Sequence, residues 1–324
     1  MQAQLIALDW GTTSLRAYKL AAAGQVLESR ASPHGIMQLP STPRLINGTL
    51  CSDGFELAFA QACADWLAAD PALPVIACGM VGSAQGWREA TYRDTPANVA
   101  SLGAALQTLR SVCGVDVHIV PGVMQRSALP NVMRGEETQV LGALAELPDD
   151  DALIGLPGSH SKWVQVADGC IVQFDTFMTG EVFAVLSEHS ILGRTQQRGG
   201  AFDAAAFDRG VQVAQSAEGN SGPLSTLFSA RTLGLTGALS GAAQADYLSG
   251  LLIGHELAAL AQLQRQRRPG APLPAVLLIG NGPLCTRYCR ALQACGFGRV
   301  SVAAHATERG LWQLAVAAGL IQPT

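Results

Sequence analysis

Apolar residues run unbroken from Leu5 to Leu8 and stop at Asp9 and Trp10. A strand apolar on both faces belongs in the middle of a covered sheet. The loop Gly11-Thr12-Thr13 follows, then a strand over 14–20, a turn at Ala23-Gly24 and a strand over 26–31. Short strands joined by tight turns predict antiparallel pairing. Asp53 and Glu56 form a D-x-x-E helix start, and Phe55, Phe59, Ala62, Cys63 and Trp66 share one helical face that Pro71 terminates. A strand at Val75–Cys78 enters a Gly-rich segment. The spacing of Leu102, Ala105, Leu106 and Leu109 predicts another helix, followed by a strand over 115–120 and a helix from Glu136 to Leu147.

The second half restarts in the same way. A strand over 152–154 enters Leu156-Pro157-Gly158, and a strand over 162–167 turns at Asp168-Gly169 into another over 170–177. A long helix over 245–264 precedes the strand Val276–Ile279. Pro283 suits the first turn of the next helix, and a strand at 300–302 and a helix from Thr307 complete the chain. Each half thus opens strand, G-[ST]-x-S loop, strand, turn, strand, with Gly11-Thr12-Thr13-Ser14 in one and Gly158-Ser159-His160-Ser161 in the other. This weak internal repeat predicts an α/β protein of two similar domains, 1–144 and 145–324. Each is expected to be a mixed sheet flanked by helices, with a cleft between them.

Composition narrows the partners. Of 324 residues, 48% are hydrophobic and 14% charged, which suits large cores and excludes a disordered chain. The net charge is -4, and the one basic cluster, Arg265, Arg267 and Arg268, precedes Pro269-Gly270 as the cationic end of a helix. A nucleic-acid partner is not expected. Eight cysteines lack C-x-x-C spacing, and Cys285 with Cys289 has no histidine or acidic pair to complete a metal site. Reduced thiols and a cytoplasmic location are the expectation. No stretch is long and apolar enough to span a bilayer, and no signal-peptide pattern precedes Leu5.

Five segments carry candidate chemistry. In the first, Gly11, Thr12 and Thr13 present backbone N–H groups and hydroxyls suited to phosphate oxygens. Asp9 is a candidate to hold Mg²⁺ through water, and Arg16 to donate to phosphate. In the second, Gly158, Ser159, His160 and Lys162 repeat that cradle. The pair resembles the two phosphate loops with which the actin/hexokinase/heat-shock-chaperone superfamily holds ATP. The third is Met133-Arg134-Gly135-Glu136-Glu137-Thr138. A carboxylate here can accept the proton of an attacking hydroxyl; Glu136 occupies the position of the Asp in the related FGGY carbohydrate kinases, and Glu137 is the alternative. The fourth runs from Cys78 to Arg88. Gly82 admits close approach, Ser83 and Gln85 offer hydrogen bonds, Trp87 a ring face and Arg88 a charge. In the fifth, Gly280-Asn281-Gly282 lacks the third glycine of a dinucleotide fingerprint, Cys285 standing there, and suits an adenosine contact.

Together these segments, with Thr176–Glu181, Phe228–Arg231 and Asp246–Leu251, resemble the 2-keto-3-deoxygalactonate kinase family, in order and over essentially the whole chain. The resemblance implies two ribonuclease-H-like domains, the N-terminal one binding a sugar acid and the C-terminal one ATP. It also implies Mg-ATP-dependent phosphorylation of a C6 hydroxyl in galactonate catabolism. A sugar acid needs a cationic partner for its carboxylate, and Arg88, Arg93, Arg126 and Arg134 are candidates. A kinase for another small sugar or sugar acid, or a non-catalytic ATP-switched sensor, are the alternatives. Epimer preference and oligomeric state are not specified by these residues.

Overall fold

The computed structural model describes residues 1–147, 152–197 and 199–322. In the first unit, β1 (Leu5–Trp10) is flanked by the antiparallel β2 (Leu15–Leu20), which pairs in turn with β3 (Val26–Ser32). Four of the six β1 residues are aliphatic and inaccessible to solvent, as a central strand requires. Helix α1 (Gly54–Ala69) crosses to β4 (Val75–Cys78), parallel to β1. Asp53 caps α1 by accepting from the Glu56 N–H at 3.0 Å. The Glu56 side chain does not complete the expected box. It accepts from Ser111 Oγ at 2.6 Å and Val112 N at 3.1 Å, tying α1 to a distant turn.

The helix expected through Leu109 is a five-residue α2 (Val99–Gly103), and the chain then extends into β5 (Gln107–Arg110), antiparallel to β6 (Asp116–Ile119). The alternation that half-buries Gln107 and Leu109 and exposes Thr108 and Arg110 prevails over the helical spacing. The sheet order is β3-β2-β1-β4-β6-β5, with β6 parallel to β4. Helix α3 (Glu136–Ala143) follows a small sheet built from Arg93–Asp94, Val123–Gln125 and Asn131–Met133.

The second unit repeats the plan. β7 (Leu153–Leu156) pairs antiparallel with β8 (Ser161–Ala167), which neighbours β9 (Cys170–Phe177). The turn between β8 and β9 places Asp168 and Gly169 at φ 50° and 69°, as a two-residue hairpin demands. Then come α4 (Thr179–His189), α5 (Ala204–Ala214), the long α6 (Gly241–Arg267), β10 (Val276–Leu278), α7 (Gly282–Ala294) and β11 (Val300–Val302). The order β9-β8-β7-β10-β11, with β10 parallel to β7 and β11 parallel to β10, reproduces the first five strands of the other sheet. The repeat predicted two similar mixed sheets, and both follow the ribonuclease-H-like plan that the resemblance implied.

The first unit extends to Leu147 and takes in two later segments. The hairpin tip 166–174 and the chain from Ala303 onward belong to the first unit. Helix α8 (Ala306–Ala317) packs on α3 because Gly142 and Gly310 let the two backbones touch. The hairpin tip joins by an Ala97–Ile171 bridge and by the Phe174 N–H donating to Gln125 at 2.7 Å. All eight cysteines are free thiols. Among the described residues no helix is long and apolar enough to cross a membrane.

Candidate functional site

In the first unit three backbone segments converge at the ends of parallel strands, where open α/β sheets place their ligands. Gly79, just beyond β4, has φ 94°, and a Cβ there would lie 2.8 Å from the Trp10 carbonyl. Gly135, at φ 104° before α3, would bring one to 3.2 Å from Gly79 Cα. Both positions combine a left-handed backbone with close approach, which only glycine accepts without strain. They bring Asp9, the Gly79–Ser83 turn and the start of α3 to one place.

The loop Gly11-Thr12-Thr13 is closed by the Gly11 N–H donating to Ser14 O at 2.9 Å. Gly11 and Thr12 carbonyls accept from Ile36 and Met37, each at 3.1 Å, and Gly35 has no room for a side chain against this loop. With its carbonyls held from behind, the loop leaves Thr12 and Thr13 exposed. Arg16 donates to Asp9 Oδ2 at 3.3 Å. Burial pushes the Asp9 carboxyl above its usual range; Arg16 opposes this, and the Glu308 and Glu136 carboxylates add to it. Glu308, from α8, is a site neighbour that sequence reasoning missed. Its only signal was an acidic residue in a late helix's first turn, where the helix dipole is reason enough.

Among the described residues no group of three or more His, Cys, Asp or Glu forms a metal-binding set.

The two glutamates of α3 differ sharply. Glu137 is wholly buried and its carboxylate accepts from its own helix start, the Gly135 N–H, at 2.7 and 2.9 Å. Burial, with the Glu136 charge adding to it, pushes its pKa up to about 7 against the Gly135 hydrogen bond. Glu136 is half-buried, and the Arg134 N–H donates to its Oε2 at 2.9 Å. Glu137 is engaged as a cap, whereas Glu136 is only partly buried.

The Glu137 environment has a testable consequence. Its folded pKa of about 7 exceeds its ordinary 4.5, so between these values the unfolded chain is ionised while the folded one still holds the proton. Stability from this group is complete below pH 4.5 and is lost as pH rises towards 7. Glu137→Gln cannot ionise. The melting temperature of the variant is expected to gain on wild type between pH 5 and 7.5, the shift corresponding to roughly 3 kcal/mol at most. A constant gap across that range would refute the buried, proton-holding Glu137.

Arg134 occupies the same turn. Its Nη2 donates to Ala90 O at 2.8 Å, and its guanidinium lies 4.3 Å from the Tyr92 ring centre. Nε and Nη1 are buried and make no hydrogen bond; neither does the buried Ser83 Oγ. Gly82 matters here: a Cβ at that position would stand 3.0 Å from Nη1. Of the other arginine candidates, Arg126 is paired with Asp94 at 3.0 Å, while Arg88 and Arg93 are exposed. Gln85 is also exposed. Trp87 departs from its expected role. Its ring stacks on Phe55 at 6.2 Å and packs against Trp10 and Phe59, so it anchors the core rather than offering a face to a sugar.

In the second unit, Gly158 and Ser159 lie against α4. The Glu181 N–H donates to Ser159 O at 3.0 Å, and Gly180 must be glycine because its Cα faces the Gly158 and Ser159 backbone. His160 Nε2 is hydrogen-bonded to Glu181 Oε2, both side chains half-exposed. Lys162 departs from a phosphate role: it is buried within the sheet, its ammonium donating to Thr176 at 2.8 Å. A cavity of about 630 Å³ opens from this loop, lined by Gly158, Ser159, Phe183, Phe202, Leu284 and Arg287 among others. Gly280 and Gly282 are not in its wall. They end β10 and start α7, and the cavity begins on that helix at Leu284. Two further wall residues, Ser187 and Gln196, carry a buried Oγ and Nε2 with no hydrogen-bond partner.

Two ribonuclease-H-like units, each opening with a hairpin loop between its first two strands, give the actin/hexokinase-like ATPase fold. The sequence profile of the 2-keto-3-deoxy-galactonokinase family matches residues 9–314. A probable 2-dehydro-3-deoxygalactonokinase of Rhizobium meliloti is 36% identical over 323 residues, 95% of this chain and 97% of that protein. The 2-dehydro-3-deoxygalactonokinase of Escherichia coli K12 is 34% identical over 307 residues, 94% of each chain. A crystal structure of a candidate 2-dehydro-3-deoxygalactonokinase from Sinorhizobium meliloti superposes with a TM-score of 0.80 at 36% identity, covering 97% of this chain and 98% of its own. The chain belongs to the 2-keto-3-deoxy-galactonokinase family.

Proposed function

We propose that this protein transfers the γ-phosphoryl group of ATP to the C6 hydroxyl of 2-dehydro-3-deoxy-D-galactonate, giving the 6-phosphate and ADP. The observation that carries this reading is the constellation at the start of α3. A reachable carboxylate, Glu136, stands two residues from a guanidinium with two buried, unpartnered donors, within a chain of this family.

Arg134 and Ser83 supply the donors for the sugar-acid carboxylate. Buried polar groups are ordinarily paired, and an acceptor with two oxygens matches the guanidinium fork. The exposed Tyr92 ring lies over Arg134 and covers it. Gln85 and Arg88, at the rim, meet the rest of the sugar chain. Glu136 accepts the C6 hydroxyl proton as that oxygen bonds to the γ-phosphorus and the bond to the β-phosphate oxygen breaks. Thr12, Thr13 and Arg16 are the phosphate donors of the first unit; in the second, Ser159 and His160 have that role and the cavity beside Gly158 takes the adenosine. Mg²⁺, when bound near Asp9 through water, neutralises phosphate charge. ATP as donor is in keeping with a cytoplasmic reaction.

The test is ATP-dependent phosphorylation of 2-dehydro-3-deoxygalactonate beside its gluconate epimer and neutral hexoses, with and without Mg²⁺. Mg²⁺-dependent turnover of the galactonate compound above the others is expected. Turnover of a different acceptor keeps the mechanism and replaces the substrate; ATP binding with no turnover of any acceptor refutes the reading.

A further inference from the structure

One buried carboxylate has no part in the chemistry above. Glu256 lies within α6 with 3% of its surface exposed. An ionised group in such a place is tolerated only when its oxygens are bonded. The Trp163 indole N–H donates to Oε1 at 2.7 Å, and the Tyr288 hydroxyl donates to Oε2 at 2.8 Å. Ser161 Oγ lies 2.9 Å from the Tyr288 hydroxyl. Burial pushes the Glu256 carboxyl above its usual range, and the hydrogen bonds from its neighbours oppose that shift.

Tyr288 lines the cavity beside Gly158, and the other donors sit on the strand that follows its loop. Ser161 and Trp163 belong to β8, which leaves the Gly158-Ser159-His160 loop, and Tyr288 belongs to α7, beside Leu284 and Arg287; α4, whose Gly180 rests on that loop, starts at Thr179. Helix α6 completes the wall with Asp246, Ser249 and Ile253. An aliphatic side chain would fill the same space at less desolvation cost, but without direction. Directed bonds from one carboxylate fix the distances between three elements.

We infer that Glu256 is a positioning residue for nucleotide binding, its carboxylate setting the spacing between the Gly158–Ser159 loop and α7. The inference rests on the proposal that this cavity takes the adenosine of ATP. Every sugar-acid contact proposed above lies in the first unit, so the effect falls on one substrate only.

The experiment measures ATP affinity by titration calorimetry, and KM for ATP and for the sugar acid, in Glu256→Gln, Tyr288→Phe and Leu284→Trp. Loss of a hydrogen bond to a charged group predicts ATP binding weakened about 10-fold in Glu256→Gln and about 3- to 10-fold in Tyr288→Phe, with the sugar-acid KM unchanged. A merely structural glutamate lowers the melting temperature and leaves KM for ATP where it was; that result, or an equal rise in both KM values, overturns the inference. Should Glu256→Gln not fold, Tyr288→Phe, which keeps the ring, decides by the same readings. Leu284→Trp fills the cavity and separates the two failures. If it leaves ATP affinity intact, the cavity is not the nucleotide site and the inference falls with that reading. If it blocks ATP while the other two variants bind normally, only the inference is overturned.

Discussion

Glu136→Gln is expected to lower kcat by about 10²- to 10⁴-fold, the range a positioned general base contributes, with little change in KM for either substrate. The substitution keeps the shape of the side chain and leaves an oxygen to accept from the Arg134 N–H, so the helix start is preserved. What is removed is the capacity to take a proton in the transition state, and an interaction made only there lowers kcat and kcat/KM together. Single-turnover measurement at saturating substrate isolates that step. Glu137→Gln is the internal comparison. Its carboxylate is occupied by the Gly135 N–H and closed to solvent, so its loss is expected to act mainly on stability. A kcat collapse in Glu137→Gln with Glu136→Gln active would reverse the assignment.

The parts of the site that were legible in the sequence are those encoded by consecutive residues. Gly11-Thr12-Thr13 and Gly158-Ser159 announce themselves because a turn between strands leaves few residue choices, and the repetition of the turn carried the two-unit fold with it. Gly79 and Gly135 were visible as glycines, but their φ angles and mutual approach belong to the tertiary fold. Trp87 shows how a side chain can be misread. An aromatic in a Gly-rich loop suits a sugar face, yet its ring packs among Phe59, Trp10 and Phe55, and α1's apolar stripe needed a ring above it.

The cavity walls were illegible for a different reason. Beyond Gly158 and Ser159, the wall residues Phe183, Phe202, Asp246 and Arg287 come from separate elements, and no local pattern marks them as neighbours. Glu256 did leave a trace, an acidic residue on the apolar stride of Leu252, Ile253, Leu257 and Leu260. A charge on the buried face of a helix predicts partners; which partners, only the packing reveals. The chain's return to the first unit through α8 was likewise hidden, because Gly142 and Gly310 touch across more than 160 residues of sequence.

Arg134→Lys is expected to raise KM for the sugar acid about 100-fold and to leave KM for ATP unchanged. Lysine keeps the charge but not the planar fork, and cannot hold Ala90 O, lie over Tyr92 and still present two parallel N–H donors to a carboxylate. Losing a buried, hydrogen-bonded charge pair typically costs 2–5 kcal/mol, and roughly 3 kcal/mol corresponds to that 100-fold change. The loss falls on binding rather than on proton transfer, so kcat at saturation is expected to stay within a few-fold of wild type. Discrimination is the sharper reading. A neutral analogue lacking the carboxylate never used these donors, so its kcat/KM is expected to be nearly the same in both proteins, and the preference for the acid falls by the whole factor. Equal losses for acid and neutral analogue would mean that Arg134 only supports the fold of the turn. An unchanged KM for the acid would move its carboxylate to the exposed Arg88 or Arg93, since Arg126 is already committed to Asp94.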